Sequence, residues 1–478
     1  MLTTYNVRIW EIETYKGRRV TTYWVVWLVD GKKFKEPYRN KAQAVSFRAD
    51  LLSAARKGEA FFVVTGLPVS MARVDGNRSW YDFACDYADL KWPQVAATTR
   101  RTHAEALTAL TVLMLSSERG RPDPALLRRA LKLWAFNTTR RADAPDDVRA
   151  ALSWAAAHTR PVSTLSDEAV LRKVIAGLTV CLDGTPRAPS VVTRWRKILN
   201  NAVEYAISLK LLTVNPLPAL RKATPRSTQI PVIDRRAVAN PVQARTLLKA
   251  VADDRPSGPR LVAFFGCLYF AALRPEEAAA LTKANLSLPS TGWGELFLDT
   301  ARPYAGREWT DSGEARDARQ LKQRARGEVR QVPCPPELTE LLHTHLDQFG
   351  TGPDGRLFVG ARNHGHLPPL TVTRVWARAR TATFTETVAS SPLARTPYDL
   401  RHAAVSTWLN AGVPPTTVAA WAGHSVDVLL TIYAKCVDGE AAVMRSRIDD
   451  ALGRPAGPDV SGITRPQTPP DDQAPERP

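Results

Sequence analysis

Five residues in the second half of the chain, Arg274, Lys322, Arg401, His424 and Tyr433, have side chains suited to one chemistry. Two guanidiniums can hold the non-bridging oxygens of a phosphate through paired N–H donors. They also neutralise the charge that builds up as phosphorus becomes pentavalent. A tyrosine hydroxyl can attack phosphorus and leave a covalent ester. A lysine ammonium can protonate the departing sugar hydroxyl. The target of such a set is a phosphodiester. None of these steps needs a metal or another cofactor, and the sequence offers no carboxylate cluster to hold one.

Local patterns indicate the elements that carry these residues. In "AALRPEEAAALT" a long apolar helix ends, Arg274 follows, and Pro275 stands where a new helix begins. Proline is favoured at the first helical position, so Arg274 lies beside a helix N-terminus, a place suited to phosphate. Glu277, one turn on, can orient its guanidinium. "RQLKQRARGEVRQVPCP" reads as a hairpin with Lys322 on the first strand and "RARGE" as the turn. "TPYDLRHAAVSTWLNAGV" reads as a helix capped by Thr396 and Asp399, with Arg401 in its first turn and Gly412 at its end. In "WAGHSVDVLLTIYAK" a short helix ends at Gly423, His424 starts the next, and Tyr433 lies on it.

These four clusters, "ALRPEE", the lysine hairpin, "YDLRH" and "WAGHS…IYAK", in this order and at these intervals, resemble the tyrosine recombinase (phage integrase) family. The resemblance spans about 200 of the 478 residues. It implies roles residue by residue. Arg274 and Arg401 would be the two arginines of the catalytic set, and Glu277 the supporting acid of the first. Lys322 would be the general acid on the 5′ oxygen. His424 would hydrogen-bond the scissile phosphate, and Tyr433 would be the nucleophile that forms a 3′-phosphotyrosyl link. The bond energy is kept in that link, so no ATP is required.

The sequence departs from the family pattern at Tyr398, where His-x-x-Arg is usual. A phenol of pKa about 10 is a poor general base, yet it can donate a hydrogen bond to phosphate. Proton removal from Tyr433 would then fall to His424, Asp399 or water. The hairpin turn is also longer than usual, and Arg324 and Arg326 would be poor acids beside Lys322. His402 reads as structural, Trp421 as core, and His343, His345, His364 and His366 as solvated positions.

The rest of the chain fits a mainly α, multidomain (α+β) architecture. Residues 1–65 show two alternating β-rich runs, a third short strand after an Asp30-Gly31 turn, and a helix capped by Asn40. By its layout the resemblance makes this a domain for a second, arm-type class of DNA site. Residues 66–78 read as a linker. Residues 79–222 are helical throughout and correspond to a core-binding domain. A Pro-rich basic linker then leads to the catalytic domain, 235–452. The tail 453–478 has too little apolar content to fold.

The net charge of +18 calls for a polyanionic partner, with DNA ahead of an anionic membrane surface. The longest apolar run, 261–273, is too short to span a bilayer. Five singly spaced cysteines argue for a reducing compartment, and the start is no signal peptide. The chain thus reads as cytoplasmic and nucleoid-associated. The resemblance, strongest to integrases of actinobacterial plasmids and prophages, implies further partners. These are double-stranded attachment sites, a homotetramer on DNA, an excisionase and a host DNA-bending protein. Two rival readings keep the fold: a catalytically silent DNA-binding protein, and a type IB-like topoisomerase.

Overall fold

The computed structural model describes residues 2–17, 20–69, 71, 78–221, 233–322, 324, 325, 327–361, 364–433 and 441–452. The tail 453–478 and most of the two linkers lie outside them. Helix accounts for 52% of the chain and the sheets are small, as a mainly α multidomain architecture requires. The chain forms two compact units. One comprises Met1–Ser227 and Ala305–Asp317; the other comprises Thr228–Tyr304 and Ala318–Pro478.

In the first unit, the long strand Thr21–Val29 is the centre of a small antiparallel sheet. Lys32–Tyr38 pairs along one edge, joined by Asp30 and Gly31 with φ of 48° and 80°. Positive φ at both positions is what a tight two-residue hairpin needs. The other edge takes two short pieces, Val7–Ile9 and Glu13–Lys16, where the sequence suggested one strand. Val25, Trp27 and Val29 alternate inward and pack on Leu51 of the helix Lys41–Arg56, which Asn40 caps.

The helical part of this unit runs from Trp80 to Arg221, with a core that includes Trp80, Phe83, Tyr87, Leu107 and Leu110. Trp195 is buried in that core. Arg194, Arg196 and Lys197 around it are exposed. Residues 305–317, though inserted in the other unit's sequence, belong to this one. Trp309 is fully buried in the helical core. Arg100 donates to the carbonyl of Trp309 at 3.1 Å and to both carboxylate oxygens of Asp311 at 2.6 and 3.0 Å, while its guanidinium lies over the Trp92 ring.

The second unit is built on the apolar helix Val262–Phe270, whose side chains are buried almost without exception. The helices Pro241–Asp253, Pro336–Phe349, Pro369–Thr383 and Tyr398–Asn410 contribute to the same core. A three-stranded antiparallel sheet, in the order Arg330–Cys334, Gly294–Leu298, Leu286–Ser287, lies at one side. Among the described residues the expected lysine hairpin does not form. The return strand Arg330–Cys334 pairs with Gly294–Leu298, and Arg319–Gln320 pairs with Thr300–Ala301. Alternation explains the choice. Val332 and Cys334 share an inward face with Leu296 and Leu298, a match that the polar run around Gln320 cannot offer. Lys322 follows in a turn, not on a strand.

Candidate active site

The site grows from the end of the Val262–Phe270 helix. Ala272 adopts a φ of 49°, unusual for a residue with a Cβ, and its carbonyl accepts from Nη1 of Arg401. Two residues later Arg274 precedes the short helix Pro275–Ala278, as the Arg-Pro pair indicates. Glu277 reaches back to the Arg274 backbone N–H at 2.9 Å and accepts from Arg274 Nη1 at 2.7 Å. Glu277 thus contacts Arg274 directly.

Glu277 has a second cation that sequence reasoning missed. Arg330, on the inward face of its strand, donates to both oxygens of Glu277 at 3.0 and 2.6 Å. A signal was available: in "RQVPC" the arginine shares its period-2 face with Val332 and Cys334, both buried. Burial alone would raise the Glu277 carboxyl, but Arg330, Arg274 and Arg401 outweigh it and hold its pKa at about 2.

Arg401 is 0% exposed. It sits in the first turn of Tyr398–Asn410 and donates to the carbonyls of Ala272 and Ala422 and to Nε2 of His424, the last at 2.8 Å. Gly423 ends the helix Pro415–Ala422 in the left-handed region, φ 65°. Its carbonyl accepts from Arg274 Nη2 at 2.7 Å. A Cβ there would stand 2.3 Å from Nη1 of Arg330 and 3.2 Å from Nη1 of Arg274. Only glycine fits between the two guanidiniums.

The His424 tautomer follows from its partner. Arginine has no acceptor, so Nε2 must accept and Nδ1 carries the proton. That Nδ1–H is buried and, among the described residues, has no hydrogen-bond partner. Burial first, then Arg401, Arg274, His402 and Arg330, push the His424 pKa down to about 3. Its side chain is a neutral donor at neutral pH.

Tyr433 ends the helix Val426–Tyr433 and is 0% exposed. Its hydroxyl lies 2.8 Å from Nδ1 of His402. His402, read from the sequence as structural, thus faces the tyrosine, while Arg401 before it faces the carbonyls. Tyr398 packs edge-on against the His402 ring, centroids 5.0 Å apart. The structure thus gathers Arg274, Glu277, Arg401, His424 and Tyr433 in one cluster, with Tyr398 joined through His402. Lys322 lies at its edge, exposed, with Nζ 3.6 Å from Glu276. His345 corrects the sequence reading. It is buried, with Nε2 2.9 Å from the Leu357 carbonyl oxygen and its ring against Phe358, because its helix turns that position to the core. Trp421 is half-buried against Trp408.

The cluster therefore holds three guanidiniums around a single carboxylate, two more positive charges than it neutralises internally. It is well suited to an anion with several acceptor oxygens.

No family model matches the chain, and no curated protein does. Solved structures similar in fold include the Tn1549 transposon integrase in complex with transposon right end DNA. It is 13% identical, with a TM-score of 0.48, over 78% of this chain and 99% of that one. The XerH site-specific recombinase bound to difH substrate is 10% identical, TM-score 0.41, over 77% and 94%. Lambda integrase bound to DNA is 14% identical, TM-score 0.41, over 73% and 93%. At such identities and TM-scores none of them carries a function across.

Proposed function

We propose that the chain is a tyrosine-type site-specific DNA recombinase that integrates, and excises, a mobile element. The observation that carries this reading is the buried pair of guanidiniums, Arg274 and Arg330, on the Glu277 carboxylate, with Arg401 nearby and a tyrosine hydroxyl held by an imidazole. In the proposed reaction Arg274, Arg401 and the free Nδ1–H of His424 bind the non-bridging oxygens. Arg330 acts behind them, fixing Glu277 and hence Arg274. Tyr433 attacks phosphorus and forms a 3′-phosphotyrosine, and Lys322 protonates the 5′ oxygen. A second transesterification reverses these steps with a new 5′ hydroxyl. Tyr433 is covered in this conformation, so attack requires the surrounding elements to open and admit the scissile phosphate to its hydroxyl.

The same reading gives the other parts their tasks. Residues 79–222 grip the core site and residues 1–65 a second class of site, consistent with a net charge of +18. Strand exchange is the work of a homotetramer on two double-stranded sites in the cytoplasm, with an excisionase and a DNA-bending protein as accessory partners. Among the described residues no helix is long and apolar enough to cross a membrane.

The test is a nicked duplex carrying the attachment core of the element that encodes the chain. Wild type should give a protein–DNA adduct on a denaturing gel. Tyr433→Phe should bind equally and give none. Tight binding without an adduct from wild type would replace this reading with the catalytically silent one. Relaxation of a supercoiled plasmid that lacks any attachment site would favour the topoisomerase.

A further inference from the structure

We infer that His402 is the base that takes the phenolic proton of Tyr433, an assignment that rests on the recombinase reading. The Nδ1–Oη distance of 2.8 Å is that of a made hydrogen bond. The other side-chain candidates are committed elsewhere. His424 has its only lone pair on Arg401, and its remaining ring nitrogen carries a proton. Asp399 accepts from the backbone and side chain of Thr396 at 2.7 and 3.1 Å. Tyr398 meets the His402 ring edge-on.

Burial, then Arg401, lowers the His402 pKa to about 4, so the imidazole is neutral and can accept. An ordinary phenol sits at roughly 10, and that gap rules out full transfer beforehand. The proton must move as the bond to phosphorus forms, when the phenol oxygen loses its basicity. The bound phosphodiester helps, because its negative charge offsets Arg401. The step balances. The Tyr433 Oη–P bond forms and the P–O5′ bond breaks. The phenolic proton passes to His402 Nδ1, and the 5′ oxygen takes a proton from Lys322. Religation returns both protons. Tyr398, Tyr433, Arg401 and His424 are the titratable and charged groups around His402 that would shape its pH profile.

A base and a mere support can be told apart by acidifying the nucleophile. Single-turnover cleavage of the nicked duplex is measured for wild type and His402→Ala, each with tyrosine or a ring-fluorinated tyrosine at position 433. Loss of a general base costs on the order of 10²- to 10⁴-fold. We expect that loss with tyrosine, and a much smaller one with the acidified phenol. An equal loss with both nucleophiles, or none with either, overturns the assignment. If His402→Ala does not fold, His402→Asn carries the same comparison, since its amide can hydrogen-bond Tyr433 but cannot take a proton. Absence of any adduct from wild type would overturn the recombinase reading itself. An adduct indifferent to His402 would overturn only the role of His402 as the base.

Discussion

Replacing Glu277 by glutamine is the sharpest probe of the charge cluster. The substitution keeps the volume and removes one negative charge. Four hydrogen bonds are affected: two from Arg330, one from the Arg274 side chain and one from the Arg274 backbone. The amide oxygen can still accept, but the amide nitrogen points a donor at guanidiniums that have nothing to accept it. Relief from burying a carboxylate opposes the loss. Breaking a buried pair from one side nevertheless costs about 3–5 kcal/mol, because three guanidiniums would remain with no anion among them. In a domain of this size about 1 kcal/mol moves a melting temperature by roughly 2–4 °C. The unit should therefore melt on the order of 10 °C earlier. Inorganic phosphate at a hundredfold excess over its Kd restores about 2.7 kcal/mol, and it should help the variant more than wild type. Thermal melting of the full chain, with and without phosphate, reads both effects. A drop below about 2 °C, or equal rescue of the two proteins, would refute the reasoning that the cluster is short of an anion.

Gly423→Ala should lose at least about 1 kcal/mol from its left-handed backbone and should also displace Arg330; urea unfolding and DNA affinity should both fall. Trp309→Ala should cost the helical unit about 3–5 kcal/mol, seen as faster proteolysis between residues 79 and 221 while the second unit keeps its melting transition. Acid should also unfold the site selectively. His402 and His424 sit at about 4 and 3 against an ordinary 6.5, so below that value the unfolded chain binds more protons. Their stabilisation is full above pH 6.5 and is lost as pH falls towards 3; Glu277 adds a loss between 4.5 and about 2. A melting temperature that stays level from pH 6.5 down to 4 would contradict this.

Local chemistry was legible wherever one residue dictates its own backbone. Arg274 before Pro275, Gly423 ending a helix and the Asp30-Gly31 turn were all readable because each depends on neighbours in the chain. The meeting of His402 with Tyr433 was not, since it joins positions 31 apart through packing that no local pattern encodes. Arg330 lay between these cases. Its strand face marked it as buried, but the carboxylate that makes burial tolerable is 53 residues away. The lysine hairpin failed because strand pairing is a competition, and a better partner for Arg330–Cys334 lies upstream of the turn.

The placement of Trp309 sets an order on synthesis. The helices that receive it are complete by residue 221, but their core still lacks an indole that is made some 90 residues later. At about 5–20 residues per second that interval is on the order of five to twenty seconds. During it the helical unit must wait on the ribosome with Trp92 and Arg100 lacking their partners, and a nascent chain arrested before Ala305 cannot finish its first domain.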